Sequence, residues 1–166
     1  FQRAQLVFTA HDPYWTQLDD NLIEIETLVP LTEFPIEFVS GGIELSSYLV
    51  GTPVTVVNQG DNDTPVEITF YGPATNPKIE NVTTGEYIKI DHTFVSGESM
   101  VIDTSFGQKT VTIYLSGVAS NGMQYLNINS TFWQIIPGTN EIKFTDDSSS
   151  TTARAVVKWR ERYVGV

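Results

Sequence analysis

Residues 109–115 read Lys-Thr-Val-Thr-Ile-Tyr-Leu, and their character alternates at every step. On an extended backbone Val111, Ile113 and Leu115 fall on one side, with Thr110, Thr112 and Tyr114 on the other. That is period two, the signature of a half-buried strand, and not the 3.6 of a helix. The same alternation sets Ile88 and Ile90 against Tyr87 and Lys89 in 86–91, and Ile142 and Phe144 against Glu141 and Lys143 in 140–145. Further strand-like runs are 4–9, 22–27, 34–39, 53–58, 65–71, 99–103, 123–129 and 153–164. Val, Ile, Thr, Tyr and Phe dominate them, the side chains that suit a pleated surface. Thr84-Gly85, Ser96-Gly97, Asn121-Gly122 and Pro137-Gly138 fall between runs, where a turn calls on glycine for positive φ. Strands at such spacing predict an all-β fold of antiparallel strands, a sandwich in preference to a barrel. Helix content is expected to be minimal, at most one short turn after Asp12-Pro13.

Composition supports a packed core. Of 166 residues 40% are hydrophobic and 17% charged, which excludes a disordered chain. No apolar run approaches the roughly 18 residues of a membrane-spanning helix, so no membrane partner is expected. The first residue is Phe1 and not Met, which suggests a piece excised from a longer chain. The absence of cysteine excludes thiolate zinc sites, thiol catalysis and disulfides. A net charge of −11 argues against a nucleic-acid partner, which needs a surplus of Lys and Arg. The first fifty residues hold eight acids and one base, Arg3. They read as an N-terminal arm, or as edge strands, leading into a sandwich body at 51–166, the whole forming one compact unit.

Chemistry is sparse. His11 and His92 have no partner at metal or triad spacing, and no nucleophile elbow, phosphate loop or zinc helix motif occurs. Asp61-Asn62-Asp63 opens like a calcium loop but lacks its glycine and closing glutamate, so an Asx turn is the better reading. Asn62, Asn81 and Asn129 begin N-x-[ST] triplets, which a chain rich in these residues contains by chance. No catalytic residue, metal or cofactor is expected.

Two surface features stand out. Arg154, Lys158, Arg160 and Arg162 share the parity of Val156 along 153–164, so four of nine basic residues line one strand face. Cross-strand pairs with acids such as Glu24 and Glu26 are the ordinary explanation; a charged contact between copies is the sharper one. Tyr14, Trp15 and Trp133 are candidate aromatic contacts for a glycan or a partner, against the alternative that they are buried. Trp159 is in phase with Ala155 and Val157 and belongs to the core.

The order and spacing of several motifs carry a family resemblance. Thr64-Pro65-Val66-Glu67-Ile68-Thr69-Phe70-Tyr71-Gly72, Asn76-Pro77-Lys78-Ile79-Glu80-Asn81 and Thr84-Gly85-Glu86-Tyr87-Ile88-Lys89-Ile90 follow one another. Gly97-Glu98 before Met100-Val101-Ile102-Asp103-Thr104, the Pro137-Gly138 turn with Asn140 and Ile142, and the ending Arg162-Tyr163-Val164-Gly165-Val166 complete the series. Together they resemble the C-terminal domain of siphophage distal tail proteins, and Phe8–Trp15 resembles the junction before it. The resemblance implies a phage or prophage virion component at the tail tip, made in the bacterial host's cytoplasm. It implies a galectin-like, jelly-roll-type sandwich projecting from a hexameric hub whose ring is built by an N-terminal domain. Other tail and baseplate proteins of the adhesion apparatus are the implied partners. The fragment alone is expected to be monomeric or weakly associated. The family brings no catalytic residues, and a galectin-like shape does not bring sugar binding with it.

Overall fold

A computed structural model describes residues 3–5, 7, 12–26, 28–30, 46–48, 51–148 and 152–165. The expected strand at 34–39, half of the run 4–9, and His11 lie outside the described residues. In chain order the first strands are β1 (Tyr14–Thr16), β2 (Asn21–Glu26), β3 (Leu28–Pro30), β4 (Ser46–Tyr48), β5 (Val54–Asn58), β6 (Thr64–Tyr71), β7 (Ala74–Thr75), β8 (Lys78–Asn81) and β9 (Glu86–Lys89). Then follow β10 (Thr93–Phe94), β11 (Glu98–Asp103), β12 (Thr110–Leu115), β13 (Val118–Asn121), β14 (Gln134–Ile135), β15 (Gly138–Thr145), β16 (Arg154–Trp159) and β17 (Arg162–Val164). All pairings between them are antiparallel.

Two sheets carry the fold. One runs β13-β12-β11-β6-β16-β2, with β14 also on β6; the other runs β5-β15-β8-β9. The alternation in the sequence decides which side chains meet between them. Ile68 and Phe70 of β6, Met100 and Ile102 of β11, and Val157 of β16 face Ile79, Ile88, Ile142 and Phe144 from the second sheet, and all are buried in one cluster. Phe70 and Phe144 join the layers directly, with ring centroids 6.0 Å apart. Each such side chain contributes roughly 1.5–3 kcal/mol of burial, so a cysteine-free chain of this size is held together by ordinary packing.

The expected all-β antiparallel fold is what forms. Local expectations needed correction in four places. The run 123–129 is not a strand: Met123–Tyr125 is a 3₁₀ turn, and the chain from Leu126 then covers the outer edge of β9. The Asn121 side chain accepts the Met123 N–H at 3.0 Å, which starts that turn. The run 153–164 breaks at Arg160-Glu161 into β16 and β17. The residues after Asp12-Pro13 form β1 and no helical turn. Gly122 also departs from expectation, with φ of −104° in place of a positive angle. Its requirement is space: an added Cβ would meet Met100 and Val111 at 3.2 Å.

The acidic N-terminal segment contributes directly to the larger sheet. β2 pairs with β16 over six residues, from Arg154 opposite Glu26 to Trp159 opposite Asn21. β1 pairs with β17 over three.

Candidate functional site

β16 alternates in burial, so Ala155, Val157 and Trp159 enter the core while Arg154, Val156 and Lys158 face outward. Arg160 and Arg162 keep that outward parity across the break. The structure thus brings the four predicted cations onto one face, and each has a carboxylate partner within the chain. Arg154 meets Glu24 at 2.5 Å and Lys158 meets Glu67 at 3.0 Å. Arg160 meets Asp20 at 2.5 Å, and Arg162 grips both oxygens of Asp12 at 2.7 and 2.6 Å. Three of these partners lie between residues 12 and 26, so the last strands hold the N-terminal segment in a clasp. Arg154 also lies 4.3 Å over the Tyr71 ring and Arg162 4.5 Å over that of Tyr14.

The pairs shift proton affinities as their geometry requires. The Arg162 guanidinium holds the Asp12 carboxyl below its ordinary value, and Arg160 does the same to Asp20. Glu67 raises Lys158, and Asp20 raises Arg160. Exposure limits the energy: Arg154–Glu24 and Lys158–Glu67 contribute roughly 0.2–1 kcal/mol each. Beside the stripe is an open depression of about 460 Å³, its wall including Asp12, Asp20, Glu67, Lys158, Arg160 and Arg162.

The three aromatic candidates separate. Trp133 is 1% exposed and packed in the core, so its ring offers no face to solvent. It is in phase with the buried Ile135 of β14, which explains its inward direction. Tyr14 is half-buried beneath Arg162. Trp15 is 72% exposed, opposite Tyr163 across the β1–β17 ladder. Gly165 lies against its indole, where a Cβ would come within 2.7 Å of Nε1.

Other polar groups escaped sequence reasoning because they meet across turns or between layers. His92 Nε2 is 3.1 Å from Glu98 Oε1, and the other Glu98 oxygen accepts the Val95 N–H at 2.9 Å. The imidazole packs against Phe94 and Tyr125, so this pair pins the turn before β11. The buried Glu161 accepts the Gln59 N–H at 3.2 Å and the Tyr163 hydroxyl at 2.6 Å. Asn81 and Asn140 are fully buried and bonded to one another at 3.3 Å. Among the described residues, no group of three or more His, Asp or Glu is arranged to hold a metal ion.

Comparison with known proteins agrees with the architecture. A chain in a solved structure described as "Structure of the Phage P2 Baseplate in its Activated Conformation with Ca" shares the fold, with a TM-score of 0.50 and 12% identity. The alignment covers 89% of the present chain and 54% of that one, so this chain spans about half the length of its structural relative. No curated protein matches. The family model for the siphovirus-type tail component, C-terminal domain, matches residues 59–163, from the end of β5 to β17. On that match the chain belongs to the siphovirus-type tail component family, residues 59–163 corresponding to its C-terminal domain.

Proposed function

We propose that this domain is a structural part of the tail-tip hub, the baseplate end of a phage or prophage tail, where it makes protein–protein contacts with the adhesion apparatus. The observation that carries the reading is the family match over 59–163, on a sandwich whose outward cations Arg154, Lys158, Arg160 and Arg162 are paired with carboxylates. In the full-length parent a homo-hexameric ring would repeat one docking face around an axis, and weak contacts would gain avidity from that repetition. The charge stripe with its depression is the face we assign to orienting neighbours. Antibody raised against this domain, applied to intact virions and viewed by electron microscopy, is expected to label the distal tip of the tail. Label on the capsid or along the tube would refute the reading. Light scattering that finds a tight hexamer from this fragment alone would refute the division between ring-forming and displayed domains.

A second reading has one observation in its favour. Trp15 presents an exposed ring lying against Gly165, a shape on which a sugar could stack. Binding of the domain to a bacterial-surface glycan array, abolished by Trp15→Ala, supports it; no glycan-dependent signal rejects it.

A further inference from the structure

The larger sheet ends in a strand, β13, that nothing covers among the described residues. All four residues of β13 are exposed, Val118 at 70%, and Leu115 beside it on β12 is 49% exposed. From Ser116 to Gly122 the chain carries no charge and no proline, although the protein carries −11 overall. Edges left so are unusual, because charges, proline or an overlying segment normally block pairing with another chain. Among the described residues, other edge strands of the two main sheets carry such features. β2 carries Glu24 and Glu26, and β5 is preceded by Pro53. The β9 edge is occupied by the segment after the 3₁₀ turn, with Asn127 donating to the Lys89 carbonyl at 3.0 Å and Thr131 to that of Tyr87 at 2.9 Å.

The ladder fixes which groups the open edge offers. Ser116 and Gly117 both have positive φ, 52° and 80°, the requirement of a two-residue hairpin turn of type I′. Such a turn closes on a hydrogen-bonded pair, here Leu115 and Val118. Pairs of that kind alternate along an antiparallel ladder, and the Gly122 N–H bond to the Val111 carbonyl at 2.9 Å agrees with the phase. The backbone groups of Val118 and Ser120 therefore face β12, and those of Ala119 and Asn121 face out along the free edge.

We propose that β13 is a self-pairing edge that joins two copies of this chain into one continuous antiparallel sheet. A twofold axis at Ser120 places Ser120 opposite its own copy and Ala119 opposite Asn121 of the partner copy. Four backbone hydrogen bonds then form, and no side chain on either strand brings charge to the seam. Charge is the argument for a second copy as occupant. Two chains each carrying −11 repel over most approaches, and an uncharged edge of self-complementary bonding is where they meet at least cost. The row Tyr71, Ser99, Tyr114 and Ala119 on the outward face would continue across the axis into the row Asn121, Thr112, Val101 and Thr69 of the partner copy.

Sedimentation velocity on the purified chain, from micromolar to millimolar concentration, tests this. The expected result is a reversible monomer–dimer equilibrium, weakened at least tenfold by Ser120→Lys and likewise by Ser120→Glu. Mixing the two variants is expected to restore the dimer, because Lys then faces Glu; a fold merely damaged by substitution would not recover. A monomer at every concentration, or a dimer that neither variant weakens, overturns the proposal. Either result leaves the tail-component reading untouched, since that reading does not depend on this edge.

Discussion

Replacing Arg162 by alanine tests whether the clasp holds the N-terminal segment locally or supports the whole fold. The guanidinium makes two bonds to Asp12, lies 4.5 Å over Tyr14, and its side chain is 13% exposed. Asp12 is 53% exposed, so solvent screening reduces the ion pair to roughly 0.5 kcal/mol. The cation–π contact adds about 0.5–1 kcal/mol, and lost packing of the side-chain stem a similar amount. Arg162→Ala should therefore destabilise by about 1.5–2.5 kcal/mol in all. Urea unfolding should register less than this, since the sandwich can remain folded while β1 frays. The decisive assay is amide hydrogen exchange resolved along the chain. Tyr14–Thr16 should lose protection roughly tenfold or more, while Ile68, Ile102 and Ile142 exchange as before. Equal loss of protection in β1 and in the core would refute the local reading, and so would unchanged exchange in β1.

Three further outcomes follow from the same contacts. Asp12 and Asp20 have carboxyls lowered by their arginines, so the stabilisation they supply is complete above the ordinary value of 3.8 and is lost as pH falls through their folded values. Acid titration followed by hydrogen exchange should then release β1 before β6. Phe144→Ala removes a fully packed ring between the layers and should cost about 3–5 kcal/mol, seen as a lower urea midpoint. Glu161 raises the Tyr163 hydroxyl above its ordinary value of 10.0, chiefly through their hydrogen bond. Glu161→Ala should bring that titration back toward 10.0 by ultraviolet absorbance.

Where alternation was strict, the sequence could be read directly. Residues 109–115 and 140–145 give β12 and β15 because one buried face sets the register of every side chain. Parity also placed Arg154, Lys158, Arg160 and Arg162 on one face, even across the break at Glu161. It could not name their partners, because parity gives a face and not the neighbouring strand. Asp12 and Asp20 meet their arginines through β1 and β2, from residues about 140 or 150 positions away. The run 123–129 misled because Asn121 starts a 3₁₀ turn by a local side-chain bond, which competes with alternation. Trp133 and the His92–Glu98 pair depend on how short segments cross the sheets, and two-residue strands leave no periodic trace.

The pairing of β1 with β17 has a mechanical consequence. A pull on the chain ahead of Asp12 would be delivered first to three rungs and the Arg162 grip at the rim. Antiparallel rungs loaded from one end open one after another, so that join would yield as a zipper at modest tension. The interlayer contacts around Phe70 and Phe144 would carry little of the load until it had opened.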